Sequence, residues 1–447
     1  MKTETPLYEM LKKYADMGSA RFHMPGHKGR SSLGCEQYDI TELSFSDNLY
    51  APQGVIKHAQ ELMARASGAF KSYMLTGGSS QGVRSMLCAA LRGGDKVILS
   101  RNCHRSVGDG LALSGALPVY IEPRIKDGRL EQPVAAEVEK CILSNPDAKG
   151  ILITSPDYCG RCAPLDEIAL LARKNGMLLM VDEAHGAHFP YYGFRGAAQA
   201  GADMWVQSMH KTMGALTQAA LLNIKDARFE EELAAVLPML GTSSPSYLIM
   251  ASMDLARAEL EGVNKKAFLE RAADLRGRLA GAGIRLLEGE GQDITRLCVL
   301  TAPALSGLKG AEQLEKMGVY PESADQYAII FILTHKDTQE DWERLYNALT
   351  ALKPERFVPL ADLPSKLPER ILLPRDAVFN FKHEYVPIER AIGRVCARAF
   401  GAYPPGVPAV DCGELIDKGV LDYILDARKN GQELFGLRDG CAFVCLE

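Results

Sequence analysis

Apolar positions along the chain follow two rhythms, and the change falls near residue 221. From about Tyr73 to Ala220 one pattern repeats: a short apolar run, a glycine-rich or polar turn, then a stretch with helical spacing of its apolar residues. That alternation predicts βαβ units around a mainly parallel sheet, since parallel neighbours need a helical crossover between them. Residues 96–100, 151–155 and 177–182 are near-continuous apolar runs, as expected of strands buried on both faces. Between the last two, Leu165, Ile168, Leu171 and Ala172 share one helical face, with Pro164 at the start and Gly176 past the end, which predicts a crossover helix. In open α/β sheets ligands gather beyond the carboxyl ends of the strands, so the polar residues that follow these runs are the first place to look for chemistry.

Residues 1–18 read as an amphipathic segment with Leu7, Met10, Leu11 and Tyr14 at helical spacing, without the apolar core of a signal peptide. After Leu221 the pattern is helical: residues 226–237, then 253–279, predicted as one long helix linking two domains. Strand-like runs at 297–300 and 327–333 with a helix-like 339–352 predict a smaller α+β domain. The Pro-rich stretch 353–374 reads as a connector. The expected division is an N-terminal arm (1–48), a large domain (49–296) and a C-terminal domain (297–447). No internal repeat or low-complexity tract is present.

Composition narrows the partners. The 447 residues are 47% hydrophobic, enough for more than one core. A formal net charge of -5 gives no footprint for nucleic acid or an anionic membrane surface, so a small-molecule substrate is expected. The apolar runs are too short to cross a bilayer. Eleven cysteines without an export signal fit reduced thiols and a cytoplasmic location. Cys159-Gly-Arg-Cys162 has redox or zinc-knuckle spacing, but no second pair at metal spacing follows, and no metal is expected.

Three pieces carry chemistry. Thr76-Gly-Gly-Ser-Ser-Gln-Gly82 precedes a helical face of Val83, Met86, Leu87, Ala90 and Leu91, so Gly78, Ser79 and Ser80 fall at a helix N-terminus, where free N–H groups and the dipole favour a phosphate. Read alone, the string is equally a capped turn. Asp182 ends its apolar run inside Val-Asp-Glu-Ala-His-Gly-Ala-His188, where a carboxylate would keep a pyridinium nitrogen protonated. The embedded Asp-Glu-Ala-His also occurs in helicases, but these need a phosphate loop of the form G-x-x-x-x-G-K-[ST], which the chain lacks. Ser208-Met-His-Lys211 follows a further strand-like run at 203–207. A lysine there needs a partner, and a desolvated lysine suits Schiff-base chemistry with an aldehyde cofactor. Alone, that string would be a surface turn.

Phosphate cup, acidic ring partner and Schiff-base lysine, the last two 29 positions apart (211 minus 182), resemble in their order the fold-type I enzymes of pyridoxal 5'-phosphate (PLP). The implied fold is α/β and aspartate-aminotransferase-like: a mainly parallel central sheet flanked by helices, with the smaller C-terminal domain. The resemblance sharpens to the Orn/Lys/Arg decarboxylase family in its short form. It rests on residues 206–220 around Lys211, Phe22-His-Met-Pro-Gly-His-Lys-Gly29, Asp39-Ile-Thr-Glu-Leu43, Arg101-Asn-Cys-His-Arg-Ser106, Thr242-Ser-Ser-Pro-Ser-Tyr-Leu248, Ala391-Ile-Gly-Arg394 and Tyr403-Pro-Pro-Gly-Val-Pro408.

The resemblance implies PLP-dependent decarboxylation of arginine, lysine or ornithine to an amine and carbon dioxide, through a Schiff base on Lys211. Asp182 would pair with the ring nitrogen and His104 stack on the ring. Ser79, Ser80 and Ser208 would hold the phosphate beside Gly78, and Ala184 would leave room beneath the ring. His210 would meet the substrate carboxylate or assist protonation. Glu414 is a candidate for the distal cation. His23, His27, His185 and His188 also have a plain reading as loop ties. A homodimer or dimer-based oligomer is implied. Two departures stand out: Gly77 replaces the family's usual Asn, and Asp157 its usual Thr. The competing readings are an aminotransferase or other lyase, for which Arg394 and Arg398 would supply a carboxylate clamp, and a non-catalytic regulator on the same fold.

Overall fold

The computed structural model of the protein describes residues 3–30, 32–126, 129–360, 366–403 and 406–446. Residues 361–365 of the Pro-rich connector and Pro404-Pro405 of the 403–408 string lie outside the described residues. The chain divides into two compact units. Unit one comprises Met1–Ala90 and Leu179–Lys265, unit two Leu91–Leu178 and Lys266–Glu447.

Seven strands carry the βαβ region: β1 (Lys71–Leu75), β2 (Lys96–Ser100), β3 (Leu117–Ile121), β4 (Gly150–Thr154), β5 (Leu178–Asp182), β6 (Met204–Gln207) and β7 (Ala220–Ile224). In unit one the order is β1-β7-β6-β5. The β5–β6 pair is parallel, but β6–β7 and β7–β1 are antiparallel, so the sheet is mixed here. The cause lies in the 208–219 connection. It holds only the one-turn helix Met209–Thr212, too short to carry the chain back for a parallel return. Every residue of β6 and β7 is buried.

The helix Gly78–Ala90 packs on β6 and β7 through Val83, Met86 and Leu87. Gly82 permits the approach: a Cβ there would lie 2.7 Å from Val206 Cγ1 and 2.8 Å from Leu75 Cδ1. A further core joins the N-terminal helix Pro6–Asp16, through Leu7, Leu11 and Tyr14, to Val55–Ser67 and Tyr247–Gly262. Asp254 anchors it, accepting from the Leu7 N–H at 2.9 Å.

The long helix expected over 253–279 is two helices, Tyr247–Gly262 and Lys265–Gly281. Val263 is extended, at φ -69° and ψ 136°. Both helices are amphipathic, so the apolar rhythm runs across a break that one extended residue suffices to make.

Unit two holds β4-β2-β3, all parallel. Its crossover helix Leu165–Lys174 starts after Pro164 and stops before Gly176, which takes φ +67°. The predicted α+β part is an antiparallel sheet of Arg285–Leu286, Arg296–Leu300, Ala328–Ile332 and Ser323–Ala324, with the helix Gln339–Thr350 capped by Thr338 and Asp341. All eleven cysteines are free thiols, so packing holds both units without disulfides. Among the described residues no helix is long and apolar enough to cross a membrane.

Candidate active site

Asp182 closes β5 and is 3% exposed, its Oδ1 accepting from the Ala184 N–H at 3.2 Å. Burial pushes its carboxyl up, and the nearby charge of Lys211 pulls it partly back. The turn behind it is tied to the lysine segment: the Ser208 N–H donates to Ala184 O at 3.3 Å. Ser208 then leads into the helix Met209–Thr212, which sets Lys211 half-buried, its Nζ 3.0 Å from His185 Nε2. Ser208 Oγ and Thr212 Oγ1 are buried without a hydrogen-bond partner among the described residues. A native interior rarely leaves hydroxyls so, and each suits an anionic ligand.

The 76–82 loop joins the same connection. The Gly78 N–H donates to Gln218 O at 2.9 Å, and Gly78 takes φ +74°, a conformation that favours glycine. Ser79 and Ser80, both half-buried, occupy the first turn of the helix. Gly77 now has a local reason. A Cβ there would sit 2.7 Å from Gln81 Oε1, and that oxygen accepts from the Gly77 N–H at 3.0 Å, while Gln81 also bonds the Tyr50 hydroxyl. The glycine lets Gln81 fold back and brace the loop.

Unit one therefore gathers Asp182, Ala184, Ser208, His210 and Lys211, with Gly78, Ser79 and Ser80 on the loop bonded to their connection. His210 Nδ1 donates to Ala219 O at 3.0 Å, which commits that nitrogen to the backbone. His104 belongs to unit two, exposed on the loop after β2; its Nδ1 accepts from the Ser106 N–H at 3.2 Å, which places a neutral ring's proton on Nε2. The sequence reading passed over two groups: His185, treated as a loop tie although it lies in the same string as Asp182, and the hydroxyl of Thr212. It also missed the buried chain in which Ser72 bonds Asn223, Asn223 bonds Gln207 and Gln207 bonds Glu183. His188 packs edge-on against Phe189, Tyr192 and Phe194.

In unit two several charged groups are paired with one another. Both oxygens of Glu414 accept from Arg101 at 2.9 Å, and Oε1 also accepts from Arg370 at 2.9 Å, so its charge is not available for a substrate cation. Asp157 accepts from the Cys159 and Arg161 N–H groups and from Arg161 Nε, closing the turn that holds Cys159 and Cys162. A pocket of about 100 Å³ is lined by Arg101, Arg129 and Arg161, each already paired, with Glu414, Asp325 and Asp157 respectively. Arg394 donates to Glu384 and Cys445 O, so of the two arginines considered for an aminotransferase clamp it is held by a carboxylate, while the exposed Arg398 donates to the Tyr385 hydroxyl at 3.3 Å.

The family models for the Orn/Lys/Arg decarboxylase major domain and C-terminal domain match residues 5–282 and 360–440. The chain belongs to the Orn/Lys/Arg decarboxylase family. It is 34% identical to an arginine decarboxylase of Bacillus subtilis (strain 168), covering 98% of this chain and 96% of that one. It is 24% identical to a constitutive lysine decarboxylase of Escherichia coli (strain K12), covering 96% and 78%. Among solved structures, the lysine decarboxylase of Francisella novicida matches with a TM-score of 0.85 at 21% identity, over 98% of this chain and 80% of that one. A ureidoglycine-glyoxylate aminotransferase from Bacillus subtilis matches at 0.56 and 14% identity, over 66% and 82%. The aminotransferase-like fold and the decarboxylase class of this enzyme follow.

Proposed function

We propose that the protein decarboxylates a basic amino acid, holding PLP on Lys211. The observation that carries this is the juxtaposition in unit one of Lys211, buried Asp182 and the unpartnered hydroxyls of Ser208 and Thr212. These residues fit the cofactor. Asp182 is a carboxylate whose burial calls for a cation, as a protonated ring nitrogen would be, and the two hydroxyls with the helix N-terminus at Gly78–Ser80 suit its phosphate. Ala184 would leave space beneath the ring.

When bound, PLP supplies the electron sink for the pair left by the broken Cα–carboxylate bond. The chain's own part is binding and proton traffic. Lys211 supplies the amine that holds the cofactor, and Asp182 supplies the negative charge that keeps a proton on the ring. His210, its Nδ1 fixed on Ala219 O, would meet the substrate carboxylate through the rest of its ring. Arginine is the first substrate to test, because several relatives at 32–34% identity carry the name arginine decarboxylase; lysine and ornithine follow. A homodimer in the cytoplasm completes the proposal.

The test is incubation of the purified protein with PLP, borohydride reduction and mapping of the modified peptide, followed by assay of carbon dioxide and amine with each basic amino acid. A reduced adduct on Lys211 and carbon dioxide from one substrate are expected. Keto acid without carbon dioxide would overturn the reaction, and no adduct at Lys211 would overturn the cofactor assignment.

A further inference from the structure

Lys211 and His185 reach each other from different segments, one on the helix after β6 and the other on the turn after β5. The tie between these segments, Ser208 N–H to Ala184 O, lies one residue before His185 and three before Lys211, so the approach is built into the backbone. His185 is 6% exposed and its Nε2 lies 3.0 Å from Lys211 Nζ, within the range for a direct proton exchange. The neighbouring His210 has its Nδ1 committed to Ala219 O. His185 is therefore the imidazole placed on the reacting nitrogen.

We infer that His185 is the proton-transfer partner of Lys211, taking the proton that makes Lys211 a nucleophile and returning it when the lysine is loaded or released. The inference rests on the cofactor attachment proposed above. Loading then balances as follows. Lys211 begins as an ammonium and passes one proton to His185 Nε2. The amine nitrogen adds to the aldehyde carbon of PLP, and the aldehyde oxygen takes a second lysine proton to become a hydroxyl. His185 returns its proton to that hydroxyl, which leaves as water while the carbon–nitrogen double bond forms with one proton still on nitrogen. In the exchange with a substrate amine, the incoming nitrogen adds to the same carbon and passes a proton to His185, which delivers it to the Lys211 nitrogen as the bond from that nitrogen to the carbon breaks and the lysine leaves as the free amine.

The experiment follows the rate at which full-length, PLP-free protein captures PLP on Lys211, by timed borohydride quenching and peptide mass, in wild type, His185→Gln and His185→Ala. A positioned acid–base group contributes about 10²–10⁴ to such steps, so both variants should load at least about tenfold more slowly, yet reach the wild-type final extent. Added imidazole should accelerate His185→Ala in proportion to its concentration and leave wild type unchanged, which a purely structural role would not produce. Unaltered melting temperatures confirm that the variants fold. Wild-type loading rates in His185→Gln, or a slow His185→Ala that imidazole does not accelerate, would overturn the inference. Failure of wild type itself to load Lys211 would instead overturn the cofactor assignment, so the two failures are distinguishable.

Discussion

At Glu183 burial strips away the water that would solvate a carboxylate, and the donors that replace it, the Ala197 N–H and Gln207 Nε2, compensate only in part. Its carboxyl is pushed up to about 8 from an ordinary value of 4.5. Between those values the unfolded chain gives up a proton that the folded chain keeps. Stability from this group is therefore complete below 4.5, falls as pH rises through the window, and levels off above 8. At about 1.4 kcal/mol for each pKa unit, the loss is on the order of a few kcal/mol. Glu183→Gln should flatten the decline, which urea midpoints measured from pH 5 to 8 would reveal; parallel curves for wild type and variant would refute it. Lys211→Ala should lose the PLP adduct and cut carbon dioxide release by about a thousandfold or more, read by peptide mapping and a turnover assay. At this scale the carboxylate closing an apolar run at Asp182 was legible in the sequence, and so was Lys211, four residues past the end of the next run. The contact of His185 with Lys211 was not, because it depends on which side chain the helix after the next strand carries toward it.

Among the elements, the loop after β2 and the 409–414 segment are joined by Arg101 and Glu414, 6% and 1% exposed. Tyr120, beneath the Arg101 guanidinium, bonds Asp411 in the same cluster. Removing one partner of a buried pair leaves the other charge uncompensated, so Glu414→Ala should destabilise unit two by about 3–5 kcal/mol. Denaturant unfolding followed by a probe in that unit checks this, and a loss below about 1 kcal/mol would show that the network carries little. Strands and the crossover helix were readable from apolar runs with Pro and Gly at their ends, to within a residue or two. The break at Val263 was hidden by continuous amphipathic spacing, and the antiparallel return of β7 followed from a helix of one turn that sequence rhythm had not resolved.

For the molecule as a whole, the N-terminal part of unit one leaves large apolar side chains in water: Phe22 is 93% exposed, Leu33 84% and Met24 62%. Apolar groups gathered in one segment favour a protein partner, and a second copy of the chain is the one proposed here. Sedimentation equilibrium should show a dimer, and Phe22→Ser with Leu33→Ser should weaken it at least tenfold; a wild-type monomer at micromolar concentration would reject the assembly.

By itself the sequence determined the α/β class, the order of the glycine- and serine-rich 76–82 loop, acidic strand end and lysine, and the family to which they belong. These are local properties, since apolar periodicity and short motifs need no knowledge of distant contacts. Tertiary structure decided which charges were already spent and which groups met. Glu414 and Arg394 looked available for substrate in the sequence, but each pairs with a residue elsewhere in unit two, and a buried charge is available only when no nearer partner holds it. His185 looked like a loop tie until two adjacent strand ends placed it against Lys211, a distance fixed by the pairing of β5 with β6 and written in neither segment alone.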